Sequence, residues 1–525
     1  MLRGIALFAA ACAAVIFVFW DQRRKQRLGR LASLRAQWGK RAVRRRELRP
    51  GFQGTSPLRL DDQAWADLDL DAVFALLDRT LTEPGQQVLH ELLRTPLTDV
   101  AALQRRSQAI TELLKGPEDL QQRLLPLADV AQGVLVPALQ RDLPTLPLPA
   151  LAYRALSVLA VAMLGAFAVS PPAGFVAALL AFVVNMAAHY HAQQQLAAAL
   201  PAVTALQELF ATAQRIVSKA LPGLEPEQAA VKRALDALRP LAEALGGVVP
   251  VVDDSLSQYI NIYLLRQERL FARAAPLLAE RRVQAAELLQ AVGMLDALQS
   301  LASWRSSETA CAPVLRDGPL AAQAVRHPLV PECIPNDVQL DQGLLVTGSN
   351  MSGKSTYLRA VALNALFAQT IYCCLAKSWQ GPAVRLMTCI RRADSVLAGR
   401  SYYLSEAQGI LDIVKAAPEE PRVLCVLDEI FRGTNSLERI AAASAVLKYL
   451  ATHGALVLAA THDHPLTEQL TGLYVNAHFS ERVGSAGLEF DFLLKPGPAT
   501  TSNAIALLQH LGYPPEIIEQ ALSKR

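Results

Sequence analysis

The run Gly348-Ser349-Asn350-Met351-Ser352-Gly353-Lys354-Ser355-Thr356 sets two glycines, a lysine and a hydroxyl at the spacing G-x-x-x-x-G-K-S/T. That spacing suits phosphate binding. Glycines let successive backbone N–H groups converge on one concavity, Lys354 puts a fixed cation against the β- and γ-phosphates of a nucleoside triphosphate, and the Ser355 hydroxyl ligates Mg²⁺. Hydrolysis there needs an acid for the metal and a base for water. The pair Asp428-Glu429 offers both: Asp428 joins Ser355 in the Mg²⁺ shell, and Glu429 orients and deprotonates the attacking water. His462 adds an imidazole for contact with the γ-phosphate.

These groups need elements that bring them together. Leu344 to Val346 reads as a short buried strand before the glycine loop, and Tyr357 to Gln369 carries apolar residues at helical spacing after it. Arg422 to Leu427 is a continuous apolar run of the kind that forms a parallel strand buried on both faces, and it ends in Asp428-Glu429. Ala455 to Ala460 is a third such run and ends in Thr461-His462. Each chemical group therefore falls at the carboxyl end of a strand, where open α/β sheets bind their ligands.

The segments TGSNMSGKSTYLR, LDEIFRGTNS and THDHPLT resemble the ATPase domain of the MutS family, a branch of the ABC-type ATPases. Asn350 and Met351 follow that family's variation on the phosphate loop. The resemblance implies ATP and Mg²⁺ as cofactors and ATP hydrolysis as the activity. It extends to Gly399–Glu406, GRSYYLSE, whose Ser401 would reach the γ-phosphate held by a partner subunit, which implies a homodimer with composite ATP sites. Arg326-His327-Pro328 and Ile334-Pro335-Asn336-Asp337 resemble the lead-in near the adenine. One departure follows Asn435, where Glu438-Arg439 replaces the Asp-Gly that many members show. Upstream, the string from Val73 to Leu114 resembles the start of the family's helical lever, and Gly293 to Leu298 resembles its return. No Phe-x-Glu wedge of a mismatch-reading domain precedes them; the triplet Phe479-Ser480-Glu481 lies inside the ATPase segment and reads as structural.

At 525 residues the chain holds several domains, and 52% hydrophobic with 19% charged is oilier than an ordinary cytosolic ATPase. The excess is localised. Ile5 to Trp20 is uninterrupted and apolar, and Asp21 to Arg49 then carries twelve Lys/Arg against two acids. We read an uncleaved anchor with its basic side cytoplasmic, against the competing signal peptide. The basic stretch fits anionic lipid headgroups, with nucleic-acid phosphates as the alternative. Leu151 to Ala188 is the second apolar run, divided by a turn at Ser170–Gly174. It reads as a transmembrane hairpin with both ends inside, the alternative being a helical hairpin buried in a soluble core. Seven cysteines without C-x-x-C spacing suggest reduced thiols and no zinc site.

The expected fold is an α-helical lever/core region with transmembrane helices, plus a C-terminal α/β ABC-type P-loop ATPase domain. The expected division is an anchor over 1–22, a basic linker over 23–56 and a first lever half over 57–149. A membrane hairpin over 150–190, a second lever half over 191–311 and the ATPase domain over 312–525 complete it. This places a multi-pass protein in the cell membrane with its ATPase domain in the cytoplasm. Three functions compete. One is a membrane-tethered ATP-driven switch that binds DNA by its structure rather than by mismatches. The second is a mechanical switch on the membrane without nucleic acid. The third is an ABC transporter, which three spans per chain fit poorly. A net charge of +4 does not by itself demand DNA.

Overall fold

A computed structural model describes residues 21, 25, 28–40, 54, 56–130, 133–246, 255–341, 343–349, 351–390, 402–431, 434–484, 487–499, 508 and 512–523. The expected anchor over Ile5–Trp20, Asn350 and Gly399 to Ser401 lie outside them.

The first half is helical. Helices α1 (Asp62–Asp67), α2 (Leu70–Leu77), α3 (Glu83–Arg94), α4 (Val100–Lys115), α5 (Glu118–Ala128) and α6 (Leu135–Gln140) come before the apolar pair α7 (Ala150–Leu164) and α8 (Pro171–Val217). They are followed by α9 (Glu225–Ala237), α10 (Arg239–Leu245), α11 (Ser255–Leu264), α12 (Arg266–Glu280) and α13 (Arg282–Arg305). Helix α3 starts where its sequence says: the Thr82 hydroxyl accepts from Gly85 N–H, and Pro84 occupies the first turn, where its missing N–H costs nothing. It crosses α13 at very short range. A Cβ on Gly293 would stand 2.6 Å from the Pro84 carbonyl oxygen, and one on Gly85 would stand 2.1 Å from Asp296 Oδ2. Asp296 is fully buried and accepts from Leu81 N–H, Thr82 N–H, the Thr82 hydroxyl and the Gln299 amide, so the two lever halves are tied at one carboxylate.

Helix α7 is prolonged by a 3₁₀ turn at Gly165–Ala168, and the chain reverses after it, at Val169–Ser170, into α8. The expected turn at Ser170–Gly174 is narrower in the structure, because Pro171 is already the first residue of α8, a position its fixed φ favours. Helix α8 then runs 47 residues without a break, across residue 190 and past Pro201 into the lever. In contrast, the helical chain over Leu264–Leu301 is broken twice. Leu265 adopts φ +45° between α11 and α12, and Arg281, whose guanidinium bonds the Ala237 carbonyl, separates α12 from α13.

The second half is α/β. A four-stranded sheet has the order β1-β5-β2-β3, with β1 (Val314–Leu315), β2 (Leu320–Val325), β3 (Asn336–Leu340) and β5 (Ser378–Gly381). A six-stranded sheet has the order β12-β9-β4-β8-β7-β6. Its members are β4 (Gly343–Thr347), β6 (Arg385–Cys389), β7 (Val423–Asp428), β8 (Leu456–Thr461), β9 (Tyr474–His478) and β12 (Lys495–Pro496). All its pairings are parallel except β12 against β9. A separate ribbon joins β10 (Glu481–Gly484) to β11 (Gly487–Phe490). Helices α14 (Lys354–Thr370), α15 (Tyr402–Ala416), α16 (Ser436–Thr452), α17 (His464–Gln469) and α18 (Pro515–Ser523) complete it. Strands β4, β7 and β8 are buried at every position, which is why they read as unbroken apolar runs rather than alternating ones.

The halves are locked together at α1. Asp67 is fully buried, and its Oδ2 accepts from the Thr388 hydroxyl at 2.8 Å and from Ile390 N–H at 2.9 Å, at the end of β6. Its carbonyl accepts from Arg359 Nε of α14 at 2.7 Å. Trp304 of α13 packs edge-on against Phe367 of α14 with centroids 5.7 Å apart.

Candidate nucleotide site

Strands β4, β8 and β7 are neighbours, so the glycine loop, His462 and Asp428-Glu429 emerge side by side at one carboxyl edge. The loop's turn requires glycine at two points. Gly348 sits at φ +142° with Phe479 O only 2.8 Å from where a Cβ would stand, and Gly353 sits at φ +107° immediately before α14.

Lys354 Nζ donates to the carbonyls of Gly348 at 2.7 Å and Ser349 at 2.8 Å, curling over the loop, and lies 3.8 Å from Glu429 Oε1. Glu429 Oε2 faces His462 Nδ1 at 3.2 Å. Glu429 is buried while His462 is half-exposed, so the carboxylate sits between a buried cation and an imidazole open to solvent. The Ser355 hydroxyl donates to Asp428 Oδ2 at 2.5 Å. A hydroxyl and a carboxylate converging this way form a hard oxygen donor pair that fits Mg²⁺. The buried hydroxyls of Ser349 and Ser352 have no hydrogen-bond partner among the described residues, as expected of a loop whose polar groups serve an anion. Thr356 is exposed at the mouth, and Met351 is exposed at φ +76°.

Ser349, Met351, Gly353, Lys354, Ser355, Thr356 and Glu429 line one end of a cavity of about 340 Å³. Its other end is apolar and aromatic, with Val325, Val330, Ile334, Tyr357, Phe479 and Phe492. Phe479 packs edge-on against Tyr357 with centroids 5.8 Å apart, and Asn336 pins the Phe492 segment by donating to its carbonyl at 2.9 Å. The arrangement has a phosphate end and a flat apolar end, which suits a nucleotide. Phe479 is buried packing rather than a wedge.

Several supporting residues escaped the sequence reading. Glu406, buried on α15, accepts from Phe431 N–H at 2.7 Å and so fixes the strained turn in which Glu429 sits at φ +52° and Phe431 at φ +62°. Arg439 donates two bonds to Asp463, at 2.9 Å and 2.7 Å, holding the residue next to His462. The Glu438-Arg439 departure thus has a structural job, and Asn435 still caps α16 by accepting from Glu438 N–H. The signal was present as Arg439 near the start of α16 and Asp463 after β8, but their pairing needs the fold. Asn350 and Ser401 lie outside the described residues, so the geometry brings together Gly348, Ser349, Met351, Ser352, Gly353, Lys354, Ser355, Thr356, Asp428, Glu429 and His462.

The family description MutS domain III matches residues 63–302, and MutS domain V matches residues 344–525. A "DNA mismatch repair protein MutS 2" of Haloarcula marismortui is 34% identical over 270 residues, covering 46% of this chain and 28% of the relative. A "DNA mismatch repair protein MutS" of Thermus aquaticus is 37% identical over 207 residues, covering 38% of this chain and 25% of the relative. The matched stretches span less than a third of these relatives' own length. With the helical core and the α/β domain matched in the same order along one chain, the protein belongs to the MutS family.

Proposed function

We propose that the chain is a membrane-anchored, MutS-type ATPase that binds and hydrolyses ATP to drive conformational switching. The observation that carries this is the contact of Glu429 with both Lys354 and His462, and of Ser355 with Asp428, at a cavity lined by Lys354, Ser355 and Glu429. Lys354 neutralises the β/γ-phosphates, Ser355 and Asp428 hold Mg²⁺, which supplies charge neutralisation and orientation when bound, Glu429 takes the proton of the attacking water, and His462 contacts the γ-phosphate. Ser401 completes the site across a homodimer, so that neither subunit hydrolyses alone.

Glu429→Gln is expected to keep nucleotide binding and slow hydrolysis by about 10²- to 10⁴-fold, whereas Lys354→Ala weakens binding itself. Hydrolysis at the parent rate by a contaminant-free Glu429→Gln preparation would remove Glu429 from the role of base. Mixing Lys354→Ala with Ser401→Arg subunits restores one working site per heterodimer; background activity in proven heterodimers counts against the shared site.

Two partners follow. The relatives named as DNA mismatch repair proteins support DNA, recognised by structure, as the ligand of the lever. The alternative of a switch acting on the membrane alone is favoured by α8, whose first half exposes Phe175, Val176, Leu179, Leu180 and Val183 while its second half is built into the lever core. We read that first half, with α7, as inserted in the cell membrane and the ATPase domain as cytoplasmic. A gel shift with duplex, junction and single-stranded DNA at several salt concentrations separates the two, since phosphate contacts weaken with salt in a defined way.

A further inference from the structure

We propose that the base of the α7–α8 hairpin is a docking site for anionic phospholipid headgroups, built from Arg154, Arg266, Arg269 and Arg273; the inference rests on the membrane reading of the hairpin.

The register comes from hydrogen bonds. On the inner side of α7, the Ser157 hydroxyl donates to the Leu264 carbonyl at 2.6 Å, and Tyr263 OH donates to the Ala160 carbonyl at 3.0 Å. On α8, Asn185 donates to the Tyr263 carbonyl at 2.6 Å, and His189 Nδ1 meets Glu268 Oε1 at 2.5 Å. The chain from Tyr263 to Glu268 therefore descends beside the hairpin and sets Arg266 near the level of Arg154.

Both arginine-bearing faces point outward. Tyr153, Ser157 and Ala160 are buried, while Arg154, Val158 and Val161, each one residue further on and so about 100° round the helix, form an exposed flank of α7 in which the two valines are 60% and 54% exposed. On α12, Glu268, Phe271, Ala274 and Leu278 are buried, leaving Arg266, Arg269 and Arg273 on one outer stripe. Arg154, Arg266 and Arg273 are exposed and Arg269 is half-buried. None of the four forms an ion pair among the described residues, and the acid at their level, Glu268, is buried against His189.

A collar of guanidinium groups without an ion pair among the described residues thus lies below bare apolar surface, with Arg266 nearest the level of Arg154 and Arg273 roughly 10 Å further along α12. From Arg154 to Val169 the chain rises roughly 24 Å, most of the ~30 Å hydrocarbon core of a bilayer. Insertion of the apolar part brings the collar to the headgroups, where long arginine side chains can reach outward from an apolar helix. Charge selects the lipid: each arginine near an anionic surface strengthens association by about five-fold, and a zwitterionic surface offers no such gain. Nucleic acid would satisfy the guanidinium groups but leave the adjoining apolar surface wet.

Full-length protein reconstituted in bilayers can be probed by electron paramagnetic resonance with spin-labelled phosphatidylglycerol and spin-labelled phosphatidylcholine, read as relative association with the protein. The parent is expected to prefer the anionic lipid, and a variant with all four arginines changed to Gln to lose about five-fold or more of that preference. An unchanged preference in the Gln variant, or equal association of both lipids with the parent, overturns the proposal. A Phe175→Trp variant tests the underlying reading separately: its added fluorescence is quenched by acyl-brominated lipid if the hairpin is inserted. Quenching without headgroup preference sinks the collar alone, and absence of quenching sinks the inserted hairpin.

Discussion

Helix α14 and the first half of α8 are both apolar stretches that start from a turn, yet they meet opposite surroundings. Every residue of α14 from Tyr357 to Thr370 is buried, sandwiched between the six-stranded sheet and the lever. Along α8, Phe175 is 64% and Val176 is 56% exposed although no charged residue separates them from water. A helix that is apolar all round is stable only in an apolar medium. For α14 the protein supplies that medium. For α8 the protein supplies one side, where Asn185 and His189 find partners on α11 and α12, and leaves the other side exposed, to be covered by a second solvent on the proposed membrane reading.

The strongest way to break this comparison is to put one charge in each helix. Val361→Asp, at a fully buried position of α14, is expected to destabilise the α/β domain by more than about 4 kcal/mol and to abolish its cooperative melting, because an unpaired buried carboxylate has no partner there. Val176→Asp should leave that melting unchanged and weaken insertion by up to about 2.5–3.5 kcal/mol, the cost at a membrane helix's centre, seen as extraction of the hairpin from bilayers. If Val176→Asp behaves like a neutral surface change in both measurements, α8 has no apolar solvent.

A smaller effect is expected at the seam joining the regions. Asp67→Ala orphans Ile390 N–H and the Thr388 hydroxyl in a dry position, and should cost about 2–4 kcal/mol in denaturant unfolding. Asp67→Asn should cost less, since its amide oxygen still accepts one bond. Equal midpoints for parent and Asp67→Ala would mean that the two halves melt independently of this contact.

Acid provides a third probe. Burial, reinforced by Arg94 beside His90 and Arg359 beside His327, holds both imidazoles neutral and lowers each from 6.5 to about 4. Above pH 6.5 neither state is charged and these groups contribute no pH dependence. As pH falls from 6.5 towards 4, the unfolded chain binds protons that the folded chain refuses, so stability drops by up to about 3 kcal/mol per histidine. Unfolding of His327→Asn against the parent across that window should show a shallower slope; parallel slopes would mean that His327 is not held neutral.

The sequence announced strands β4, β7 and β8 and helix α14, because a strand buried on both faces reads as an unbroken apolar run and because glycine-lysine-serine spacing admits few other uses. It announced the hairpin through hydropathy, but not where α8 would stop: the helix runs on through Pro201, and whether it continues is decided by the lever residues that bury Leu206 and Leu209. The breaks at Leu265 and Arg281 were invisible for the same reason, since a leucine at φ +45° has no local signature and is held by packing against Tyr153 and Ala192. At the site, the residues of the phosphate end were legible by type, whereas the apolar end with Val325, Val330, Phe479 and Phe492 was not. Glu406, Asp463 and Arg439 were not, because their partners are distant in sequence and only the fold makes them neighbours.

The Arg439–Asp463 pair gives the finest test. It is largely screened from solvent, and its two parallel bonds fix Asp463, whose N–H in turn donates to the Thr461 hydroxyl at 3.0 Å, so the turn carrying His462 is braced on both sides. Arg439→Lys keeps the charge but loses the fork, and should lower stability by about 1 kcal/mol or less, near the limit of denaturant titration. Its kinetic consequence follows from position rather than contact: with His462 less well aimed at Glu429, turnover should fall about 3- to 10-fold while ATP affinity stays near the parent's. Loss of ATP affinity without loss of turnover would instead place Arg439 in nucleotide binding and leave His462 unbraced by this pair.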